Sequence, residues 1–164
     1  MDNELIDIRP VMQNEVYSAW NIFLAVYNDY INRHNRRPER MSYKDFVDLY
    51  NECDKDFYFV LYDSRIIGTF YVVNVNEHNK NLARIWINPV CENNVIIPIV
   101  VSMVEGIYKK ANMWSLGDCQ LNHADIEACI NQGWQVTSLI ESMNDGIIIA
   151  HLEKIQNDYK EKAE

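Results

Sequence analysis

No glycine occurs between Gly68 and Gly106, and the chain of 164 residues has only 5 in all. A loop that brings several backbone N–H groups close around a phosphate needs glycine or a helix start backed by positive charge. The middle of this chain is poor in both. Lys and Arg number 15 against 24 Asp and Glu, a formal net charge of -9. Binding along a nucleic-acid backbone draws on clustered cations that release counterions, so no nucleic-acid partner is expected. The charge favours solubility or a basic partner. No apolar run approaches the roughly 18 residues of a membrane span. The longest, 95–101, is broken by Pro98, so no membrane partner is expected. Cys53, Cys91, Cys119 and Cys129 include no Cys-x-x-Cys pair and no histidines at zinc spacing. They are expected to be reduced thiols, with no metal site. Met1-Asp2-Asn3-Glu4 lacks the basic start of a secretory leader, which gives a cytoplasmic expectation.

What is present suits one folded unit. Hydrophobic residues make up 48% and charged ones 24%, enough apolar side chains for a core at this length. Residues 5–10 read as a strand. Asn14 is placed to cap a helix to about Asn32, with Val16, Trp20, Phe23, Tyr27, Tyr30 and Ile31 on one stripe. Ser42 is placed to cap a second helix that turns Phe46, Leu49 and Tyr50 inward. Phe57–Tyr62 and Ile66–Val75 predict a hairpin across Asp63-Ser64-Arg65, followed by a strand 82–88. In that strand simple alternation puts Leu82, Arg84, Trp86 and Asn88 opposite Ala83, Ile85 and Ile87. A helix from about Asn94 to Ala111 tolerates Pro98 only in its first turn. A short strand 119–122, a helix 124–132 ended by Gly133, and a hairpin 136–143 with 147–152 across Asn144-Asp145-Gly146 complete the chain. The expected organisation is a single domain over 1–154 with a charged tail at 155–164.

Four places in this order resemble the GNAT superfamily of N-acetyltransferases. Ile8-Arg9-Pro10 is similar to its first strand, and Arg65-Ile66-Ile67-Gly68-Thr69-Phe70 to its turn into the third. Ile87-Asn88-Pro89 resembles the Val-x-Pro that ends the fourth strand. Asn122, Asp125, Ala128, Cys129, Gly133 and Trp134 fall on the family's Asn-x-x-Ala-x-x-Leu-Tyr-x-x-x-Gly-Phe. The resemblance implies an α/β (α+β) fold, a mixed and mostly antiparallel sheet flanked by helices. It also implies acetyl-CoA as cofactor and an amine as acetyl acceptor. The spacing of Asn122, Ile126, Cys129 and Gly133 is also similar to that of acetyltransferase-like virion-associated proteins of short-tailed bacteriophages, which implies a virion-associated, noncatalytic role.

Carried over position by position, the family's Arg/Gln-x-x-Gly-x-Gly/Ala pyrophosphate loop becomes Glu92, Val95 and Ile97. A carboxylate there repels a diphosphate. The expectation is therefore a lost cofactor site and no cofactor; if acetyl-CoA is retained, Ile87, Pro89, Val95, Ile97 and Asn122 are the residues to contact it. The family's proton-donating tyrosine falls on Cys129, and His123 begins a helix where it could act as a base. These two are the catalytic candidates of an active enzyme. Bland alternatives are a packed thiol and a solvent-facing imidazole. Arg33, Arg36, Arg37 and Arg40 form the densest basic cluster and are the candidate contact for a protein partner, against the alternative of a solvated turn.

Overall fold

The computed structural model describes residues 3–34, 41–88, 91, 95–141 and 148–156. Strand β1 (Ile6–Pro10) leads through a 3₁₀ turn (Gln13–Glu15) into helix α1 (Val16–His34), followed by α2 (Tyr43–Tyr50). Next come β2 (Lys55–Tyr62), β3 (Arg65–Asn74), β4 (Asn79–Ile87) and helix α3 (Ile97–Ile107). The chain continues with β5 (Met113–Leu121), α4 (His123–Asn131), β6 (Gln135–Glu141) and β7 (Ile148–Ile155). The seven strands form one sheet in the order β1-β2-β3-β4-β5-β7-β6, antiparallel except for the parallel β4–β5 pair.

Local chemistry explains most boundaries. Ser42 Oγ accepts the Asp45 N–H at the start of α2, and Asn122 Oδ1 accepts the Asp125 N–H at 2.7 Å at the start of α4. Both are reciprocal caps, since each aspartate accepts the N–H of its capping residue. The first helix does not use Asn14. Instead the Glu15 carboxylate accepts the Met12 N–H at 3.1 Å and holds Arg9 through two bonds of 2.8 and 2.9 Å. That pair ties β1 to the helix entry and draws the Glu15 carboxyl down to about 2. Asp63 and Ser64 both have positive φ, 46° and 63°, the paired left-handed turn that suits the twist of a tight hairpin. Gly133, at φ 93°, follows α4 in the conformation that glycine adopts without strain.

Two cores lie on the two sheet faces. On one side α1 and α2 bury Val16, Ala19, Phe23, Tyr27 and Phe46 against Phe57 and Phe59. On the other, α3 and α4 cover Val72, Leu82, Leu116 and Leu152 with Val100, Val101, Val104 and Cys129. Strand β4 departs from the alternation expected for it. Thr69 pairs with Trp86 but Tyr71 pairs with Ala83, so β4 carries an extra residue, a bulge. The bulge shifts the phase: Leu82, Ile85 and Ile87 enter the same core. Trp86 turns to the other face, edge-on to Phe23 at 5.7 Å and Tyr27 at 6.1 Å. Three further expectations change. Strand β5 begins at Met113 rather than near 119, β4 begins inside the polar run at Asn79, and β7 runs on to Ile155, across the boundary expected for the tail. The 144–146 turn and residues 157–164 lie outside the described residues.

Tyr108 follows α3 as its C-terminal capping residue. Its hydroxyl donates to Asp56 Oδ2 at 2.6 Å and lies 2.8 Å from the Tyr58 hydroxyl. Burial, then these contacts, raise the Tyr108 phenol well above its ordinary range. This cluster fastens α3 to β2.

Candidate functional site

Strands β4 and β5 pair only from Asn79↔Met113 to Ala83↔Gly117, although β4 continues to Ile87 and β5 to Leu121. Beyond Ala83 the two strands diverge. A parallel pair that stops halfway leaves the facing backbone groups of residues 84–87 and 118–121 without partners in each other, and such groups are ready hydrogen-bonding sites. The divergence follows from the two bulges that bracket it: one in β4 against β3, and one in β5, where Leu116 pairs with Leu152 but Cys119 with Ala150. Helix α3 begins at Ile97, ten positions after the last residue of β4, Ile87.

The start of α3 is apolar. Ile96 is its N-cap residue and makes no side-chain cap. Ile96, Ile97, Pro98 and Val100 are buried, whereas Val95 is 36% exposed. Ile97 and Ile87 belong to the core beneath α3. Ile96, Ile97, Pro98 and Val100 therefore fill space under the helix, Ile99 is partly buried, and Val95 faces outward. Pro89 and Glu92 lie outside the described residues, as do Arg36, Arg37 and Arg40; Arg33 falls near the end of α1.

Two of the expected chemical residues do not come together. Cys129 is fully buried, and burial, helped by the charges of Asp125 and Glu105, pushes its thiol up to about 12. It stays protonated and sealed at neutral pH. His123 lies at the opposite extreme, its side chain 82% exposed with Nε2 at 3.8 Å from Glu141 Oε1. Asn122 is occupied as the cap of α4.

Asp125, by contrast, is only 5% exposed, and its Oδ1 has no hydrogen-bond partner among the described residues. Burial raises this carboxyl to about 6, against the lowering effect of the Asn122 N–H. The folded value lies above the ordinary one, so the stabilisation is complete below about pH 4 and is lost as pH rises through 6. Asp125→Asn keeps an acceptor for the cap and removes the titration. It should flatten that part of the stability curve by on the order of 2 kcal/mol relative to the parent. Urea unfolding of both proteins between pH 4 and 7 checks this, and parallel curves would refute it.

One residue that sequence reading passed over lies beside the β5 bulge. His151 on β7 faces the bulged Gly117–Asp118 segment of β5. A Cβ at Gly117 would lie 2.9 Å from His151 Nδ1, so glycine is what lets the imidazole sit there. Its Nε2 is 3.7 Å from Glu153 Oε1, with the side chain 39% exposed. The available signal was Gly117 itself, since a glycine inside a strand marks a bulge or a close approach. On the α1 and α2 face, a small space among Phe23, Phe46, Phe57, Tyr71 and Trp86 amounts to about 10 Å³, close to what one water needs.

No protein-family model matches the chain, and no curated protein matches it. Solved structures do. Spermidine N-acetyltransferase from Vibrio cholerae, in complex with CoA and spermine, superposes with a TM-score of 0.66 at 10% identity, over 93% of this chain and 96% of that one. The fold is that of the GNAT N-acetyltransferases. PaiA N-acetyltransferase from Thermoplasma acidophilum, in complex with coenzyme A, gives 0.61 at 16% identity over 92% and 98%. An N-acetyltransferase from Staphylococcus aureus gives 0.60 at 12% over 92% and 97%. Among the described residues, no helix is long and apolar enough to cross a membrane, and no cluster of three metal-ligating side chains occurs.

Proposed function

We propose that this protein is a noncatalytic, structural or interaction member of the acetyltransferase fold, with a decayed acetyl-CoA site. The observation that carries this reading is Ile97. It occupies the position where the resemblance calls for Gly or Ala beside the pyrophosphate, and its side chain is part of the core. Glu92, at the position of the loop's positive or amide side chain, adds like-charge repulsion. The pyrophosphate part of the cofactor therefore does not fit these residues. A sealed Cys129 in place of the usual tyrosine supplies no proton at neutral pH. The spacing shared with virion-associated phage proteins supports a structural role.

One observation favours the second reading, an acetyl-CoA-dependent N-acetyltransferase. The divergence of β4 and β5 is intact, and the β4 backbone along it suits the amide-bearing pantetheine arm of CoA, which side-chain changes elsewhere leave unaffected. When bound, acetyl-CoA supplies an acetyl thioester.

A thermal shift separates the two readings. A ligand present at about 100 times its dissociation constant adds about 2.7 kcal/mol of stability. With millimolar acetyl-CoA the melting temperature is expected to stay where it is. A rise of several degrees, with release of free CoA when amines are added, would overturn the noncatalytic reading.

A further inference from the structure

Tyr17, in the first turn of α1, and Tyr43, the first residue of α2, are 57% and 40% exposed, while the core of that layer runs through Val16, Ala19, Phe23 and Phe46. Both tyrosines meet Trp20, which is packed partly against that core. Ring centroids lie 5.7 Å apart for Tyr17 and Trp20, 5.4 Å for Tyr17 and Tyr43, and 5.2 Å for Trp20 and Tyr43. The ring planes are inclined to one another by 47°, 77° and 56°, so no two are parallel and the three make a corner rather than a flat platform. Trp20 is held in place by its Nε1, which donates to the Met41 carbonyl at 3.3 Å.

We propose that Tyr17, Trp20 and Tyr43 bind a methylated ammonium group, of the choline or trimethyl-lysine type. Shape selects it first. A group centred about 4 Å above the triangle of centroids lies about 5 Å from each, within the roughly 6 Å over which a ring attracts a cation. A planar ligand cannot lie along three inclined rings at once, whereas a compact tetrahedral cation can approach all of them. Its methyl groups are weakly hydrated, so little water is lost when they meet aromatic carbon, and the ring quadrupoles attract the charge. Charge agrees with shape. The chain carries a net -9, and Lys44, beside Tyr43, is matched by Asp48. Asp45, in the same turn, accepts the Ser42 hydroxyl at 2.7 Å, and its bonds to Ser42 hold its carboxyl below the ordinary carboxylate range. The site uses no residue of the β4–β5 divergence and is independent of whether acetyl-CoA binds.

Calorimetry on the full chain, comparing choline with its uncharged analogue in which carbon replaces nitrogen, tests it. Choline is expected to bind with a Kd below about 1 mM, and the analogue at least about tenfold more weakly. Tyr17→Leu and Tyr43→Leu should each weaken choline binding by at least about tenfold, whereas Tyr17→Phe, which keeps the ring, should stay within about threefold of the parent. If a leucine variant does not fold, nuclear magnetic resonance of the parent decides instead, because choline should shift the ring protons of Tyr17, Trp20 and Tyr43. A parent that does not bind choline, equal binding of the uncharged analogue, leucine variants that bind as the parent does, loss of binding in Tyr17→Phe, or shifts confined to other rings would each overturn the proposal.

Discussion

Ile97→Gly is expected to lower the free energy of unfolding by about 3 to 5 kcal/mol, whereas Val95→Gly should cost less than about 1 kcal/mol. Ile97 is 9% exposed and packs in the core below α3; Val95 is 36% exposed and precedes the helix. Removing a buried isoleucine side chain loses the transfer free energy of its carbons and leaves a cavity that neighbours fill only in part. Glycine adds backbone freedom to the unfolded chain at the first helical position, a further fraction of about 1 kcal/mol. Urea unfolding of both single variants reads the contrast directly. If Ile97→Gly costs no more than Val95→Gly, the apolar turn is not core, and the observation carrying the noncatalytic reading fails. The expected result has a consequence for rebuilding a phosphate loop here: Glu92→Arg with Val95→Gly and Ile97→Gly would supply the missing chemistry while removing a large part of the stability of a domain this size.

Glu105→Ala is expected to cost about 3 to 5 kcal/mol. The carboxylate, on α3, accepts from Trp134 Nε1 at 3.1 Å, Lys154 Nζ at 2.6 Å and Gln156 Nε2 at 2.9 Å. It thereby joins α3 to Trp134, in the turn between α4 and β6, and to the end of β7. The side chains of Glu105 and Lys154 are only 12% and 16% exposed, so truncation leaves a near-buried ammonium and an indole N–H without their acceptor. That unpaired state, more than the lost attraction, sets the size of the effect. Replacing both members, Glu105→Leu with Lys154→Met, should recover most of the loss because no charge is then stranded. Chemical denaturation of the two variants is the measurement. A loss below about 1 kcal/mol for Glu105→Ala would show that water reaches the pair.

Features decided within a few residues were legible in the chain. Ser42 and Asn122 were readable as caps because the oxygen that accepts an N–H three residues on needs only that short segment. The hairpin at Asp63-Ser64 was readable because those residue types tolerate positive φ. The order of strands and helices, with the few residues that resemble acetyltransferases, was enough to anticipate the fold that the solved structures share. The apolar composition of 95–101 likewise marked a segment most of whose side chains are buried.

Tertiary structure decided the rest. The bulge in β4 exists only in relation to β3, and it moved Leu82 off the face that alternation shares with Trp86. Asn14 gave way to Glu15 because Arg9 from β1 reached the same carboxylate. Whether Cys129 was a reactive thiol depended on Val100, Val101 and other residues far away in sequence that seal it. The seat of His151 depends on Gly117, 34 residues earlier, through a register shift between β5 and β7. Caps and turns are set by contacts within about four residues, which a sequence displays. Strand register, burial and the meeting of side chains from separate strands depend on which segments share the sheet, and only the packed chain selects among those pairings.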